Sequence, residues 1–416
     1  MWRYRALVTL FAAAAAVSAL RAGGWRTLRD RFSLGAPSAA PATRHVWVHA
    51  ASNGELASIR PVIAALHARH PALHWLITCN TETGVALARN WDLPRSTVRL
   101  APLDLGWVSR RAMRNWTVAA HITTEAEIWP HRVLGCRGPV ILLGARISAR
   151  TARGWARLGP VSRQVMQAVT LAIPQDTGSA GALAKLGLRP ASLGPVVDLK
   201  AFYDPGGQRP DPALLHIFTR AHTWLAASTH PGDEDAVIQA HLAARDTEAG
   251  LRLILAPRHP RRGAAIAQSI AAQGLTVARR SLGQDPAGAD VYLVDTMGEM
   301  ALWYALAGRV FIGGTWTDRG GHTPYEPAHF GAALLHGPDT ANFRAAFDRL
   351  AKAKAAVCVT DAKALARGLQ GLADPGAQDD AGRRAGAALR QDVDLSAVID
   401  RLDAALTGTD APQDPT

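Results

Sequence analysis

Short apolar segments alternate with helically spaced apolar residues along the first half of the sequence. Leu56, Ile59, Ile63 and Leu66 recur at the three- and four-residue spacing that marks one face of a helix. The apolar segments around them have the length and alternation of β-strands. These segments are His45–His49, Leu73–Thr78, a short run around Val98, Thr117–Ile122 and Val140–Leu143. Strands that alternate with helices in this way predict a parallel sheet covered by helices.

The second half of the sequence repeats the same alternation. We predict helices at Asp233–Ala243, Gly298–Leu306 and Asn342–Ala353. Between the two halves lies Ala201–Pro212, which is rich in Pro and Gly and is typical of a linker. The predicted strands are Thr223–Ala227, Arg252–Ala256, Val291–Val294, Arg309–Ile312 and Ala332–Leu335.

These patterns predict an α/β protein of two Rossmann-like domains, at residues 43–200 and 213–406, joined by residues 201–212. Parallel sheets bind ligands at the carboxyl ends of their strands. We therefore expect the ligand in a cleft between the two domains. Residues 407–416 are polar and terminal, and we expect a disordered tail there.

The segment Ala6–Leu20 is almost entirely apolar, but it is shorter than the roughly 20 residues that span a bilayer. Its length fits a secretory signal peptide, a short transmembrane anchor or an interfacial helix. No polar cleavage region follows it, so we predict a membrane anchor of one of the last two kinds, with residues 1–42 forming anchor and linker. The flanking arginines are Arg3, Arg5, Arg21, Arg26, Arg29 and Arg31.

The composition excludes several classes of protein. Hydrophobic residues make up 48% and charged residues 19% of the 416, which excludes global disorder. Three distant cysteines, Cys79, Cys136 and Cys358, have no zinc-finger spacing and form no disulfide framework. A reducing compartment fits this cysteine usage.

Charge is distributed unevenly along the chain. Residues 1–200 carry 25 basic and 9 acidic side chains, a net +16, whereas residues 201–416 carry 21 and 25, a net −4. This asymmetry predicts an anionic partner for the first half, such as nucleic acid, lipid headgroups or a phosphorylated substrate. A general preference for Arg over Lys does not explain the difference between the halves.

Candidate functional residues in the first half follow the predicted strands. Ser52, Gly54 and Glu55 come directly after the first strand, where Gly54 is expected to allow a tight turn. Glu55 is interpreted either as a helix-start residue that favours the helix dipole or as a general base. The helix-start interpretation is the more common one for a glutamate in this position.

Two further groups of charged residues follow later strands of the first half. Glu125 and Glu127 form a carboxylate pair that could serve acid/base chemistry or simply face solvent. Arg146, Arg150 and Arg153 could hold phosphate, because the guanidinium group matches phosphate oxygens. A solvated basic edge is the alternative interpretation of these arginines.

In the second half, four strand ends carry polar or glycine-rich segments. Ser228 and Thr229 offer hydroxyls before a helix start, which is a common anion site but also a common capping arrangement. Arg258 and His259 end the next strand. Asp295–Met300 and Gly313–Pro327 end two more, and glycine-rich loops let the backbone approach a phosphate. Four such loops in one domain predict a nucleotide-sugar site.

Some chemistries lack any sequence support. No phosphate-loop motif indicates NTP hydrolysis, and no HExxH motif or His/Cys cluster indicates a bound metal. No paired aspartates of the DxD form occur in the first half. No basic repeat interleaved with aromatic residues indicates nucleic acid, so we expect no nucleic-acid partner. No cofactor is expected either.

Taken in order, the motifs resemble those of 3-deoxy-D-manno-octulosonic acid (Kdo) transferases of lipopolysaccharide assembly. The resemblance covers Arg44 to Phe343. Its motifs are HAASNGE, TCNTETG, LAPLD, TEAEIWP, GARIS, ASTHPGDE, APRHP, VDTMGEM and GGHTPYEPA. It implies a glycosyltransferase B fold, a CMP-Kdo donor, a phosphorylated lipid A precursor as acceptor, and inversion without a metal. It also implies an N-terminal anchor at the cytoplasmic face of the inner membrane, and hence an anionic membrane surface as partner.

The resemblance also implies roles for individual residues. Glu55 matches the catalytic base of the family. The acceptor or active-site support residues would be Ser52, Gly54, Glu125, Glu127, Arg146 and Lys200. The CMP-binding residues would be Ser228, Thr229, Arg258, His259, Met297, Gly298, Glu299, Gly321, His322, Thr323 and Glu326.

Three departures from the family pattern bear on donor or acceptor preference. Thr323 replaces the usual Asn, Gly144 replaces the Asn of Asn-Ala-Arg, and Tyr325 replaces a Leu. None removes an implied catalytic group.

Two alternative functions are an enzyme of the same fold that uses a UDP-sugar, either a transferase or an epimerase, and a non-catalytic membrane-tethered lipid-binding protein.

Overall fold

The chain forms two compact α/β units. The computed structural model describes residues 4–6, 8, 9, 12, 24–35, 43–203, 209–391 and 393–408. Unit 1 comprises Met1–Phe202 together with Gln391–Thr416, and unit 2 comprises Tyr203–Arg390. The predicted α/β class with two parallel-sheet domains is confirmed.

Unit 1 contains a six-stranded parallel sheet in the order β3-β2-β1-β4-β5-β6. Chain order reverses between β1 and β4, and this reversal is where doubly wound sheets bind ligands. The strands are β1 His45–Ala50, β2 His74–Cys79, β3 Ser96–Leu100, β4 Val118–Thr124, β5 Val140–Ala145 and β6 Leu171–Pro174.

Among the described residues of unit 1, six helices connect these strands and a seventh follows β6. Apolar side chains such as Leu56, Ile59 and Ile63 of the first helix are fully buried against the sheet, as their spacing predicts. The helices are α1 Asn53–Arg69, α2 Glu82–Arg89, α3 Gly106–Asn115, α4 Pro130–Gly135, α5 Ala149–Ala156, α6 Pro160–Gln167 and α7 Thr177–Lys185.

Unit 2 contains a seven-stranded parallel sheet in the order β13-β12-β11-β7-β8-β10-β9. Its order reverses at β7, which lies between β11 and β8. The strands are β7 Thr223–Thr229, β8 Arg252–Pro257, β9 Val277–Arg279, β10 Val291–Leu293, β11 Arg309–Ile312, β12 Ala333–His336 and β13 Ala356–Cys358.

The helices of unit 2 follow its strands in the same alternating way. A core of aliphatic side chains around the fully buried Trp224 fills the space between sheet and helices. The helices are α8 Pro212–Ile217, α9 Asp233–Arg245, α10 Gly263–Ala272, α11 Met300–Leu306, α12 Tyr325–His329, α13 Arg344–Lys352, α14 Ala362–Gly371 and α15 Pro375–Leu389.

The last helix of the chain, α16 Leu395–Thr407, belongs to unit 1 rather than to the second domain. The predicted range of 213–406 for that domain is wrong at this end. Leu402 and Val398 are fully buried in the core of unit 1, and Asp403 pairs at 2.5 Å with His70, the C-cap of α1. The helix therefore returns to the first unit, which no local sequence pattern indicates.

Nearly all predicted strands are found within two residues of their expected bounds. The strands that the pattern analysis missed are β6, β9 and β13, which have three or four residues each. Such short apolar runs carry too few residues to establish alternation. The disordered tail was expected to begin at residue 407, but Thr407 still belongs to α16 and Gly408 caps the helix with a left-handed φ of 79°. Residues 409–416 lie outside the described residues.

Most of the predicted membrane anchor also lies outside the described residues, as does most of its linker. Tyr4 and Val8, which are described, are buried, and the Tyr4 hydroxyl donates to Asp104 Oδ2 at 2.6 Å. Among the described residues, no helix is both long and apolar enough to cross a membrane. A membrane-spanning anchor thus stays a prediction.

Candidate active site

The first group of candidate residues lies at the carboxyl ends of β1 and β4, where the order of the sheet of unit 1 reverses. His49 of β1 is in register with Thr123 of β4. The loops that leave these two strands therefore bring Glu55 and the Glu125–Glu127 segment to the same edge of the sheet. This is the position that the strand pattern predicts for a ligand site.

Glu55 is both a helix-start residue and a buried carboxylate. Ser52 is the N-cap of α1, and its hydroxyl accepts from the Glu55 backbone N–H at 3.3 Å. The Glu55 carboxylate accepts from Thr124 Oγ1 at 2.5 Å, from the Ala51 N–H at 2.9 Å and from Ser52 Oγ at 3.1 Å. These bonds fix the carboxylate in one orientation beside the end of β4.

The environment of Glu55 favours its protonated form more than water does. Burial raises the pKa of Glu55, and the negative charges of Glu125 and Glu127 raise it further, against the lowering effect of the Thr124 and Ala51 hydrogen bonds. A carboxylate with a raised pKa is a stronger base than an ordinary glutamate. The predicted role of Glu55 as a general base therefore has a physical basis.

Glu127 has the opposite character. Its Oε2 atom accepts from Trp129 Nε1 at 2.8 Å, His49 Nε2 at 3.0 Å and Asn80 Nδ2 at 3.2 Å. Burial alone would raise the pKa of Glu127, but the His49 and Trp129 hydrogen bonds and the nearby Arg132 lower it to about 2. Glu127 is therefore a permanent anion rather than a proton carrier.

His49 and Asn80 are site residues that the sequence interpretation missed. His49 ends the first strand and is completely buried, and burial and Arg132 lower the pKa of its ring to about 4. A neutral ring that donates to Glu127 fixes the carboxylate without adding charge. The sequence feature that could have indicated His49 is its polar side chain at the end of an otherwise largely apolar strand.

Glu125 is held by Lys200, whose Nζ lies 2.6 Å from its Oε1. The backbone of Glu125 has a φ of 44°, an uncommon conformation for a residue with a side chain. Such strain is found at functional sites, where surrounding contacts maintain it. The contact between Glu125 and Lys200 joins two candidate residues that are 75 positions apart in the sequence.

One predicted role in unit 1, that of Gly54, needs correction. Gly54 lies inside the first turn of α1 and is not one of the glycines with positive φ, so it makes no tight turn. Outside the backbone of its own helix, a Cβ atom at Gly54 would meet no atom of the described residues within 4 Å. The phosphate role predicted for Arg146, Arg150 and Arg153 stays a prediction. Arg146 contacts the site through its backbone N–H, which donates to the Glu125 carbonyl, and Arg150 and Arg153 are exposed on α5.

The second group of candidate residues lies at the carboxyl ends of β7 and β11 in unit 2. Ser228 has a φ of 57°, the counterpart of the strained Glu125 in unit 1. The hydroxyl of Thr229, which was expected to face a ligand, is fully buried and donates to Glu234 Oε1 at 3.1 Å. Thr229 therefore supports the start of α9 instead of offering its hydroxyl.

Positive charge surrounds this end of the sheet of unit 2. Arg258 and His259 are exposed directly after β8, as predicted. Arg262 forms a two-pronged ion pair with Glu234, at 2.7 and 3.1 Å. His322, in the loop after β11, lies 2.9 Å from His230 between their Nε2 atoms. His230 lies within the ASTHPGDE motif, but the sequence interpretation did not predict it as a site residue.

The remaining candidates of unit 2 are in the loops after β10 and β11. Glu299 accepts from Thr296 Oγ1 at 2.5 Å and pairs with Arg280 at 2.7 Å, and Met297 is 51% exposed. Gly298 has a positive φ of 85°, so glycine suits that position.

The loop after β11 also depends on a glycine. Gly321 has a φ of 73°, and a Cβ atom there would lie 2.8 Å from Thr315 Cγ2. Thr323 Oγ1 accepts from the Tyr325 N–H at 3.3 Å, and Glu326 lies in the first turn of the short helix α12. The hydroxyl of Thr323 is thus engaged with the backbone of its own loop.

No metal centre is formed by the residues that the structure describes, since no group of three or more His, Cys, Asp or Glu side chains is placed to hold an ion. His230 and His322 of unit 2 form a hydrogen-bonded pair with arginines nearby.

Comparisons with known proteins identify the family. The family model "3-Deoxy-D-manno-octulosonic-acid transferase (kdotransferase)" matches residues 26–202. The 3-deoxy-D-manno-octulosonic acid transferase of Bordetella pertussis is 32% identical over 387 residues, covering 86% of this chain and 87% of the relative. The chain belongs to the Kdo transferase family. The Haemophilus influenzae Kdo transferase is 28% identical, covering 83% of each chain. The resemblance inferred from the sequence motifs is thereby confirmed.

Solved structures with low sequence identity share the fold of this Kdo transferase family member. A putative UDP-N-acetylglucosamine 2-epimerase from Listeria monocytogenes has a TM-score of 0.60 at 12% identity, covering 90% of this chain and 100% of that chain. Anabaena Alr3699/HepE, solved with UDP and glucose, has a TM-score of 0.56 at 11% identity, covering 88% and 99%. At such identity the likeness establishes the two-domain fold and not the substrate.

Proposed function

We propose that this protein transfers Kdo from CMP-Kdo to a phosphorylated lipid A precursor, with inversion at the anomeric carbon of Kdo. Membership of the Kdo transferase family supports the donor sugar and the reaction. The observation that most supports catalysis is the buried Glu55 carboxylate with a raised pKa at the reversal point of the first sheet. Following the family pattern, we propose that the transfer needs no metal.

Glu55 would take the proton from the acceptor hydroxyl as that oxygen attacks the anomeric carbon. The C–O bond to the phosphate of CMP then breaks, and its electron pair leaves with CMP. Thr124 and Ser52 hold the Glu55 carboxylate through hydrogen bonds, so it is oriented before substrate binds. Orientation of this kind lowers the barrier because less rearrangement is needed during the reaction.

Glu125, Lys200 and Glu127 would support this step in two ways. The charges of Glu125 and Glu127 help to keep the pKa of Glu55 high, which strengthens it as a base. Lys200 pairs with Glu125 at 2.6 Å and places a positive charge near the acceptor. Such a charge is suited to stabilising negative charge that develops during the transfer.

Unit 2 would hold CMP-Kdo. Arg258 is exposed beside His259 after β8, and Arg319 lies in the glycine-rich loop after β11. These groups could bind the phosphate of the donor, while the exposed Met297 could contact the nucleotide base. The loops have the positive charge and the backbone access that a phosphate requires.

A basic and aromatic surface of unit 1 supports a location at an anionic membrane. Trp25 is 68% exposed beside a cavity of about 510 Å³, which Arg26, Arg29 and Arg89 also line. Trp107, 49% exposed, stacks on Phe32. Tryptophan favours the membrane–water interface, and arginine favours anionic headgroups. We propose that this surface lies against the cytoplasmic face of the inner membrane.

CMP binding tests the donor half of the proposal. We expect CMP to raise the melting temperature, because a ligand at 100 times its Kd stabilises the folded state by about 2.7 kcal/mol. UDP should give no comparable rise, and EDTA should leave the CMP effect unchanged. Arg258→Ala should reduce the rise, whereas Arg153→Ala, an exposed arginine of α5, should not. A larger rise with UDP than with CMP would favour the UDP-sugar alternative.

A further inference from the structure

His230 and His322 meet edge to edge in unit 2. His230 follows β7, and His322 lies in the loop after β11, the neighbouring strand. Their Nε2 atoms are 2.9 Å apart, the ring planes differ by 1°, and the ring centres are 5.1 Å apart. Parallel planes with nitrogens much closer than the centres place the two rings end to end, which is the geometry of a good N–H···N hydrogen bond.

Only one hydrogen can lie between the two Nε2 atoms. Burial lowers the pKa of His230 to about 4, helped by Arg319 and His259, and burial together with His230 lowers that of His322 to about 3. Both rings are therefore neutral near pH 7, and each carries a single N–H. One ring donates through Nε2, and the other must carry its hydrogen on Nδ1.

The surroundings of His230 decide which ring donates. His230 is 8% exposed, and its Nδ1 atom is buried and has no hydrogen-bond partner among the described residues. If Nδ1 carried the hydrogen, His230 would have a buried N–H group without an acceptor, which is less tolerated than a buried nitrogen that carries no hydrogen. His230 thus carries its hydrogen on Nε2 and donates to His322. His322, which is partly exposed, then carries its own hydrogen on Nδ1.

The charged groups that face this pair are mostly positive. Arg258 and Arg262 come from the segment after β8, and Arg319 comes from the loop after β11. His259 also faces the pair, but burial and these arginines lower its pKa, so its ring is neutral near pH 7. Glu234 neutralises Arg262, and Asp233 accepts from the backbone N–H groups of His230 and Gly314. Arg258 and Arg319 have no carboxylate partner in the part of the chain that the structure describes. The pair therefore faces a region that attracts an anion.

We propose that His230 is a positioning residue that fixes His322 as an Nδ1–H donor to a phosphate oxygen of the bound nucleotide. This inference rests on the proposed function, because it takes the anion to be the phosphate of the CMP-sugar. It adds to that function a residue which acts through another and does not itself contact the substrate. Because the His322 ring is already neutral with its hydrogen on Nδ1, its protonation need not change when the CMP-sugar binds.

Variants of His230 separate this role from simple packing. His230→Gln keeps an N–H group where Nε2 lies, whereas His230→Met has a similar volume but no donor. We expect the Met variant to bind CMP about tenfold more weakly, equivalent to one hydrogen bond to a charged group at about 1.4 kcal/mol. The Gln variant should stay within about threefold of the parent. The control is His222→Gln, because His222 is exposed and lies at the amino end of β7, away from the pair.

Calorimetry with CMP and ¹⁵N spectra of the histidine rings provide the two measurements. In the ligand-free parent, the His322 spectrum should show hydrogen on Nδ1, and the Met variant should show both tautomers. Hydrogen on Nε2 of His322, or equal CMP affinity for the parent and Met variants at equal melting temperature, would overturn the inference. A parent that fails to bind CMP would instead count against the proposed donor, while the ring spectra would still decide the tautomer.

Discussion

Replacing Glu55 with glutamine is expected to lower turnover by about 10²–10⁴-fold, the usual contribution of a positioned general base. Glutamine has nearly the same shape, and its carbonyl oxygen can still accept hydrogen bonds from Thr124 Oγ1 and the Ala51 N–H, which both donate to Oε2 in the parent. It cannot take a proton from the acceptor hydroxyl. The loss should therefore appear in kcat, with CMP affinity and melting temperature close to those of the parent.

Glu82→Gln is the matched control for this variant. Glu82 also opens a helix directly after a strand of the same sheet, but it is exposed. Its substitution should leave kcat within about twofold of the parent, since surface changes away from special contacts have small effects. If Glu55→Gln and Glu82→Gln turn over equally fast, Glu55 is only a helix-start residue and the base must be another group.

Replacing Leu402 with alanine is expected to destabilise unit 1 by about 2–5 kcal/mol, the usual range for removing a buried leucine side chain. Leu402 is fully buried in the same core as Leu56 and Ile63, although 339 residues separate it from the latter. Hydrogen exchange measures the effect in each unit. Peptides of α1 and α16 should lose protection, whereas peptides of α9 and α14 should keep it.

Ala397→Ser, an exposed position of the same helix, should leave exchange in both units unchanged. A loss of protection in unit 2 without a loss in unit 1 would show that α16 belongs with the second domain, as the sequence pattern had predicted.

The sequence predicts those features of the fold that depend on local pattern. Long apolar runs such as His45–His49 identify strands because their alternation extends over enough residues. β13 has three residues and an exposed face, so it leaves no comparable pattern. The return of α16 to unit 1 depends on contacts with α1, including His70 with Asp403, and no property of residues 391–407 alone indicates it.

In the candidate site, too, the sequence predicts features that depend on local pattern and misses those that depend on contacts between distant residues. Glu55 and Glu125 could be predicted because parallel strands bring their following loops to one edge. Glu127 was predicted in the same way, but its partner His49 was not, because the two are 78 residues apart and meet only in the folded chain. The same holds for His230 and His322, which are 92 residues apart. The resemblance named His322 but did not reveal that His230 would determine its tautomer.

Acceptor-dependent release of CMP from CMP-Kdo tests the central claim most directly. The purified protein would be incubated with CMP-Kdo, with or without a phosphorylated lipid A precursor, and free CMP would be measured. The account predicts rapid release only when the acceptor is present, at a rate that EDTA does not change and that Glu55→Gln lowers by about 10²-fold or more. Release of CMP at the same rate without acceptor, or no release with it, would contradict the account.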